Sequence, residues 1–249
     1  MSGDSSEQDA GDECAQAGAV RDLGADGHTP LQRLREALDQ RGLGPSDLER
    51  VPEPDPKGRT LAAVLILLYP RLGASDAPEP YLVLTRRTEA LARHSGQISL
   101  PGGRFDPGDR SLLGTALRET HEELGVDPAE LTIWGRLEPE WIVVSHYLVS
   151  PFIAYAPRRP DFRPAPSEVA EVIEVPLAVL LDPTTLAKEI WEIQGVERQV
   201  VFYRHEEHKI WGATARVLGK LVALLTPESA QHATARLEPG AVLPERQPG

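Results

Sequence analysis

The chain has 249 residues, 26 basic against 38 acidic side chains, and a formal net charge of −12 at pH 7. That balance repels polyanions, so neither nucleic acid nor an anionic membrane is expected as a main partner, and the single cysteine, Cys14, excludes a disulfide framework or a cysteine-built metal site. At 41% hydrophobic the chain can bury a core, no apolar run approaches the roughly 20 residues that span a bilayer, and the acidic start lacks a leader pattern; a soluble, cytoplasmic protein is expected.

Residues 1–29 carry seven acids against Arg21 alone and almost no large aliphatic, which predicts a disordered acidic tail. Leu31, Leu34 and Leu38 stand at helical spacing, so a short helix is expected to end near Gly42. Leu61 to Tyr69 is an apolar run of strand length, and Tyr81 to Leu84 is a second. A Gly/Pro turn at Pro101, Gly102 and Gly103 leads through Asp106 to Asp109 into a helix that stops at Gly125. Leu131 to Leu137 and Val143 to Tyr155 read as strands. After a loop with Pro160, Pro164 and Pro166, Val169 to Val175 is a strand and Leu177 to Leu181 a short helix. Val200 to Tyr203 is a late strand, and Ala213 to Leu225 an amphipathic closing helix. From Pro227 onward prolines and small residues predict a flexible tail over 227–249. The reading is one α+β domain over 30–226, a sheet flanked by helices, without internal repeats.

The richest stretch is P-G-G-R-F-D-P-G-D-R-S-L-L-G-T-A-L-R-E-T-H-E-E-L-G-V, Pro101 to Val126. Asp109 or Ser111 is the expected N-cap of its helix and Gly125 the stop. Glu119, Glu122 and Glu123 fall at i, i+3 and i+4 beside an apolar stripe of Leu113, Ala116, Leu117, Thr120 and Leu124. Three like charges near a helix C-terminus repel one another and the macrodipole. Either they form a solvated face, or they cradle a hard, oxygen-seeking dication such as Mg²⁺ or Mn²⁺. Arg118, four residues before Glu122, is placed to pair with it. Gly102 and Gly103 permit a close backbone approach, with a carbonyl available as a further oxygen ligand.

These residues resemble the Nudix box, G-x5-E-x7-R-E-U-x-E-E-x-G-U with U bulky and apolar. Gly103, Arg118, Glu119, Glu122, Glu123, Gly125 and Val126 match. Asp109 stands where the box has Glu, eight rather than seven residues before Arg118, and Thr120 holds a position that is usually aliphatic. The Asp and the extra residue resemble the coenzyme A pyrophosphatase branch. Upstream, V-L-T-R-R-T-E-A-L-A-R-H-S-G-Q-I-S-L-P-G-G (Val83 to Gly103) is similar to that branch's substrate signature, through Thr85, Arg87, Gly96, Pro101, Gly102 and Gly103. Ala92 replaces an expected basic residue there, with Arg93 one place away. Ser167 to Asp182 and Ile210 to Leu218 resemble the same branch.

The resemblance implies an α/β/α sandwich around a mixed sheet, with a loop–helix–loop catalytic motif. It also implies metal-dependent hydrolysis of a nucleoside diphosphate derivative. Glu119, Glu122 and Glu123 would hold Mg²⁺ or Mn²⁺, and Arg118 would act with them in the catalytic set. For coenzyme A or its acyl form the products would be 3′,5′-ADP and (acyl-)4′-phosphopantetheine. The alternatives are another substrate such as NADH or ADP-ribose, or a Nudix-like module that binds a nucleotide without cleaving it. Arg86, Arg87 and Arg93 are candidate phosphate forks; His94, Gly102 and Gly103 complete the expected substrate contacts. General-base candidates are Glu122, Glu168 and Glu171. His205 to His208, H-E-E-H, lacks the four-residue histidine spacing of a zinc helix and reads as a polar turn. Trp134, Trp141, Trp191 and Trp211 read as core or cleft wall. A small-molecule diphosphate is the expected partner, and a homodimer is the one protein assembly left open.

Overall fold

The computed structural model describes residues 29–73, 77–88, 96–193 and 195–226. The sequence readings for 1–28 and 227–249, and those for Arg93 and His94, lie outside them. Helix α1 (Pro30–Gln40) starts on Thr29, whose Oγ1 accepts from the Gln32 N–H while the Gln32 side chain accepts from the Thr29 N–H. Its leucines 31, 34 and 38 are buried, as their spacing predicts.

Thirteen residues form β1 (Thr60–Leu72), the centre of the main sheet. Around it lie β2 (Pro78–Arg87), β3 (Ile98–Ser99), β4 (Gly102–Arg104), β5 (Thr132–Arg136), β6 (Glu140–Ile142), β7 (Tyr147–Tyr155) and β8 (Val169–Pro176). The order is β3-β2-β1-β7-β5, with β4 also on β1, β6 on β7 and β8 on β2. β1 and β7 run parallel, whereas β1 meets β2 and β4 antiparallel, so the sheet is mixed.

A strand covered on both faces reads as an unbroken apolar run, and β1 is such a strand. Ala63, Leu65, Leu67 and Tyr69 pack with Val83, Phe152 and Ala154 under helix α2 (Leu112–Leu124). Ile66 and Leu68 face the other way, into a core shared with α1, α3 (Leu177–Leu181) and α4 (Gly212–Leu225). The result is the expected α+β sandwich. A second antiparallel sheet joins β9 (Leu186–Ile193), β10 (Val196–His205) and β11 (His208–Trp211). No helix among the described residues is long and apolar enough to cross a membrane.

The structure departs from the sequence reading in four places. Gly102 and Gly103 belong to a strand rather than a turn, paired with Val64 and Ala63. The apolar run Val143 to Tyr155 is not one strand. Val143–Ser145 is a 3₁₀ turn, and His146 at φ 56 breaks the ladder before β7. Strand β9 escapes a hydrophobicity reading because Lys188, Glu189 and Ile190 are all exposed, leaving no buried alternation in that part of it, and β11 is only four residues long. Trp141 is 47% exposed, outside the core, with the Arg59 guanidinium over its ring.

Candidate active site

Ser111 caps α2, its hydroxyl accepting from the Gly114 N–H, and Gly125 closes it in the left-handed conformation. Asp109 is thereby free for another task. It ends a 3₁₀ turn, Pro107–Asp109, and Arg110 at φ 62 turns the chain back toward the helix. The Asp109 carboxylate, almost fully buried, accepts from Arg118 Nε at 2.6 Å and Nη2 at 3.1 Å, from the Thr115 hydroxyl at 2.8 Å and from the Asp106 N–H at 2.9 Å. The Arg118 guanidinium, first among these donors, holds its pKa down at about 2. A shorter acid one residue further back thus reaches the arginine because the turn delivers it.

Arg118 is shared among three carboxylates. Besides Asp109 it meets Glu119 at 2.9 Å and Glu122 at 2.8 Å. The expected Arg118–Glu122 pair is present, and it turns Glu122, 55% exposed, along the outer helix face. Glu119 and Glu123, one turn apart, instead face the sheet. A Cβ on Gly103 would fall within the Glu119 carboxylate, so only glycine leaves that carboxylate its present place against β4. Gly102, at φ 149 against the backbone of Ala63 and Val64, is the more tightly restricted of the two, and its N–H donates to Glu123 Oε2 at 3.3 Å.

The electrostatics of the pair are strained by burial. Glu123 is 2% exposed, and desolvation pushes its pKa up to about 8; the charges of Glu119 and Glu168 add, while Arg87 and the Gly102 N–H oppose. Burial also raises Glu119, against Arg118, with Glu122 and Glu168 adding to the rise. In this cluster the carboxylates of Asp109, Glu119, Glu122 and Glu123 outnumber the guanidiniums of Arg87 and Arg118. An all-oxygen donor set short of a cation fits a hard dication.

Alternation along β2 separates the two arginines of the substrate signature. Val83 packs on the α2 face, Leu82 and Leu84 on the opposite one. Arg87 accordingly reaches Glu123, Nη1 to Oε1 3.6 Å, whereas Arg86 pairs with Glu171 at 2.7 Å away from α2. The base candidates divide likewise. Glu168 acts electrostatically on both Glu119 and Glu123, while Glu171 stays with Arg86 and His208. Beside Glu119 opens a cleft of about 800 Å³, lined by Arg104, Phe105, Asp106, Asp109 and Arg118 among others. Arg104 and Phe105 were not singled out by sequence; the signal was the short strand they extend, hidden in what reads as a glycine turn.

The NUDIX domain family model matches residues 59–194. An uncharacterized Nudix hydrolase NudL of Photorhabdus laumondii is 37% identical over 144 residues, covering 58% of this chain and 76% of that protein. Its counterpart in Yersinia pestis is 36% identical over 160 residues, covering 64% and 77%. Among solved structures, a NUDIX hydrolase from Alicyclobacillus acidocaldarius superposes with a TM-score of 0.44 at 18% identity, over 70% of this chain and 96% of that one. The NUDIX domain of Shewanella oneidensis NrtR, complexed with ADP ribose, gives 0.39 at 22% identity over 51% and 80%. With the family model spanning more than half its length, the chain belongs to the Nudix family of hydrolases.

Proposed function

We propose that the protein hydrolyses the diphosphate bond of coenzyme A or acyl-coenzyme A, giving 3′,5′-ADP and (acyl-)4′-phosphopantetheine, with Mg²⁺ or Mn²⁺ as cofactor. The observation that carries the reading is the meeting of Arg87, from the substrate signature, with Glu123, from the box, beside Gly102. Glu119 and Glu123, with Glu122 at their outer side, are the residues that would hold the ion. When bound, the ion supplies charge neutralisation at the diphosphate and acidifies a water.

The chain's own residues do the rest. Arg87 offers its planar fork to a phosphate, and Arg104 lines the adjoining cleft. Arg118, fixed by Asp109, holds Glu122 and one oxygen of Glu119 in place. Glu168, which acts electrostatically on both Glu119 and Glu123, is our choice for the base that takes the proton from the attacking water. Positioning and charge stabilisation then carry the rate, with no covalent nucleophile.

The test is incubation of the protein with Mg²⁺ or Mn²⁺ and, separately, coenzyme A, acyl-coenzyme A, NADH, ADP-ribose and diadenosine polyphosphates. Release of 3′,5′-ADP from coenzyme A is expected. Cleavage of ADP-ribose or NADH with coenzyme A intact rejects the substrate, and no hydrolysis of any compound indicates a binding module.

A further inference from the structure

The H-E-E-H stretch gains a meaning in three dimensions that its spacing denies it in sequence. It forms the tight turn between β10 and β11, with His205 opposite His208 and Glu206 in the left-handed region at φ 51. The turn sets His208, buried at 9% exposure, beside Glu171 of β8. His208 Nε2 lies 3.4 Å from Glu171 Oε1 and 3.9 Å from Glu207 Oε1, and all three ligand atoms lie within 4.8 Å of one another. Among the described residues this is the one triad of His, Cys, Asp or Glu so arranged.

We propose that Glu171, Glu207 and His208 form a second cation site, for one borderline dication of the Zn²⁺ class, distinct from the carboxylates of α2. Ligands about 2.1 Å from a tetrahedral Zn²⁺ stand roughly 3.4 Å apart, a spacing His208 and Glu171 already have. Glu207, 76% exposed, has the freedom to close the remaining gap by side-chain rotation. Arg86 donates to Glu171 Oε2 at 2.7 Å, which orients the carboxylate and leaves Oε1 toward the histidine. Two carboxylates against one guanidinium leave the cluster negative. An imidazole nitrogen with two oxygens selects Zn²⁺-like ions over Mg²⁺, which prefers oxygen alone. Because Glu171 belongs to the main sheet and His208 to the small one, the ion would cross-link the two sheets. Neither the location nor the role depends on diphosphate hydrolysis.

The experiment is equilibrium dialysis of the full, chelator-stripped chain against Zn²⁺ in excess Mg²⁺, paired with thermal unfolding. Wild type is expected to take up one Zn²⁺ that Glu207→Gln and His208→Ala bind at least tenfold more weakly, and Zn²⁺ is expected to raise the melting temperature of wild type but not of those two variants. Glu207 is on the surface, so that variant keeps the fold. Glu119→Gln should retain the ion. Uptake that is absent in wild type, equal in Glu207→Gln and His208→Ala, or lost instead in Glu119→Gln overturns the proposal.

Discussion

Asp109 shows how a single residue accommodates a departure from a motif. Its carboxylate grips Arg118 with two hydrogen bonds, and Arg118 in turn fixes Glu119 and Glu122. Removing it frees the guanidinium without touching a candidate metal ligand. Asp109→Ala is therefore expected to lower turnover about 10- to 100-fold, with far-ultraviolet circular dichroism unchanged; wild-type turnover in that variant would reject the role given to Arg118. Glu123→Gln acts directly. A buried carboxamide carries no charge to offer a dication, so turnover should fall by about two orders of magnitude or more, and activity near wild type would remove Glu123 from the site. Asp109 and Glu123 were both visible in sequence. Their unequal environments were not, because burial depends on what β4 and β1 place against the helix.

At the scale of elements, the site depends on α2 lying against β4. Gly103→Ala inserts a methyl group where Glu119 now sits. Displacing the Glu119 carboxylate by about 1 Å is expected to cost on the order of 100-fold in activity; steady-state kinetics showing less than a twofold change would mean that activity does not depend on that carboxylate's position. A second junction ties β8 to β1. Glu174 accepts two hydrogen bonds from Arg159, at 2.8 and 2.9 Å, and one from the Tyr69 hydroxyl at 2.9 Å, with Arg71 at 3.2 Å. Burial alone would raise its pKa, but the hydrogen bonds from Arg159 and Tyr69 outweigh it and the net shift is downward from 4.5. A carboxylate depressed in the folded state contributes stability that is present above its ordinary pKa and lost as pH falls through the folded one. Glu174→Gln should thus cost about 2 kcal/mol at pH 7, and the gap from wild type should close in acid. Denaturant titrations at neutral pH and near pH 3 measure this; an equal gap at both would contradict the linkage. The long apolar strand and the capped helix α2 were legible because their burial follows a simple period. The break at His146 and the exposed ribbon of β9 were not, since neither is set by hydrophobicity.

For the whole molecule, the charge of −12 divides between an acidic N-terminal segment and a domain that buries the carboxylates of Asp55, Asp109 and Glu123. An ion that binds only the folded state stabilises it by mass action. Mg²⁺ at about a hundred times its dissociation constant should stabilise by about 2.7 kcal/mol, raising the melting temperature by roughly 5–10 °C for a domain of this size. In Glu123→Gln the rise should largely vanish; an equal rise in both proteins would place the ion elsewhere. By itself the sequence determined the α+β sandwich, the Nudix box and the oxygen-rich donor set, since these are written in local periods and fixed spacings. Only the tertiary structure decided that Arg87 meets Glu123 while Arg86 turns away, that Glu168 rather than Glu171 acts on the α2 carboxylates, and that His208 and Glu207 of H-E-E-H meet Glu171. Those contacts depend on which face of β2 and β8 each side chain takes and on how a distant hairpin docks, and contacts between segments far apart in the chain leave no spacing to read.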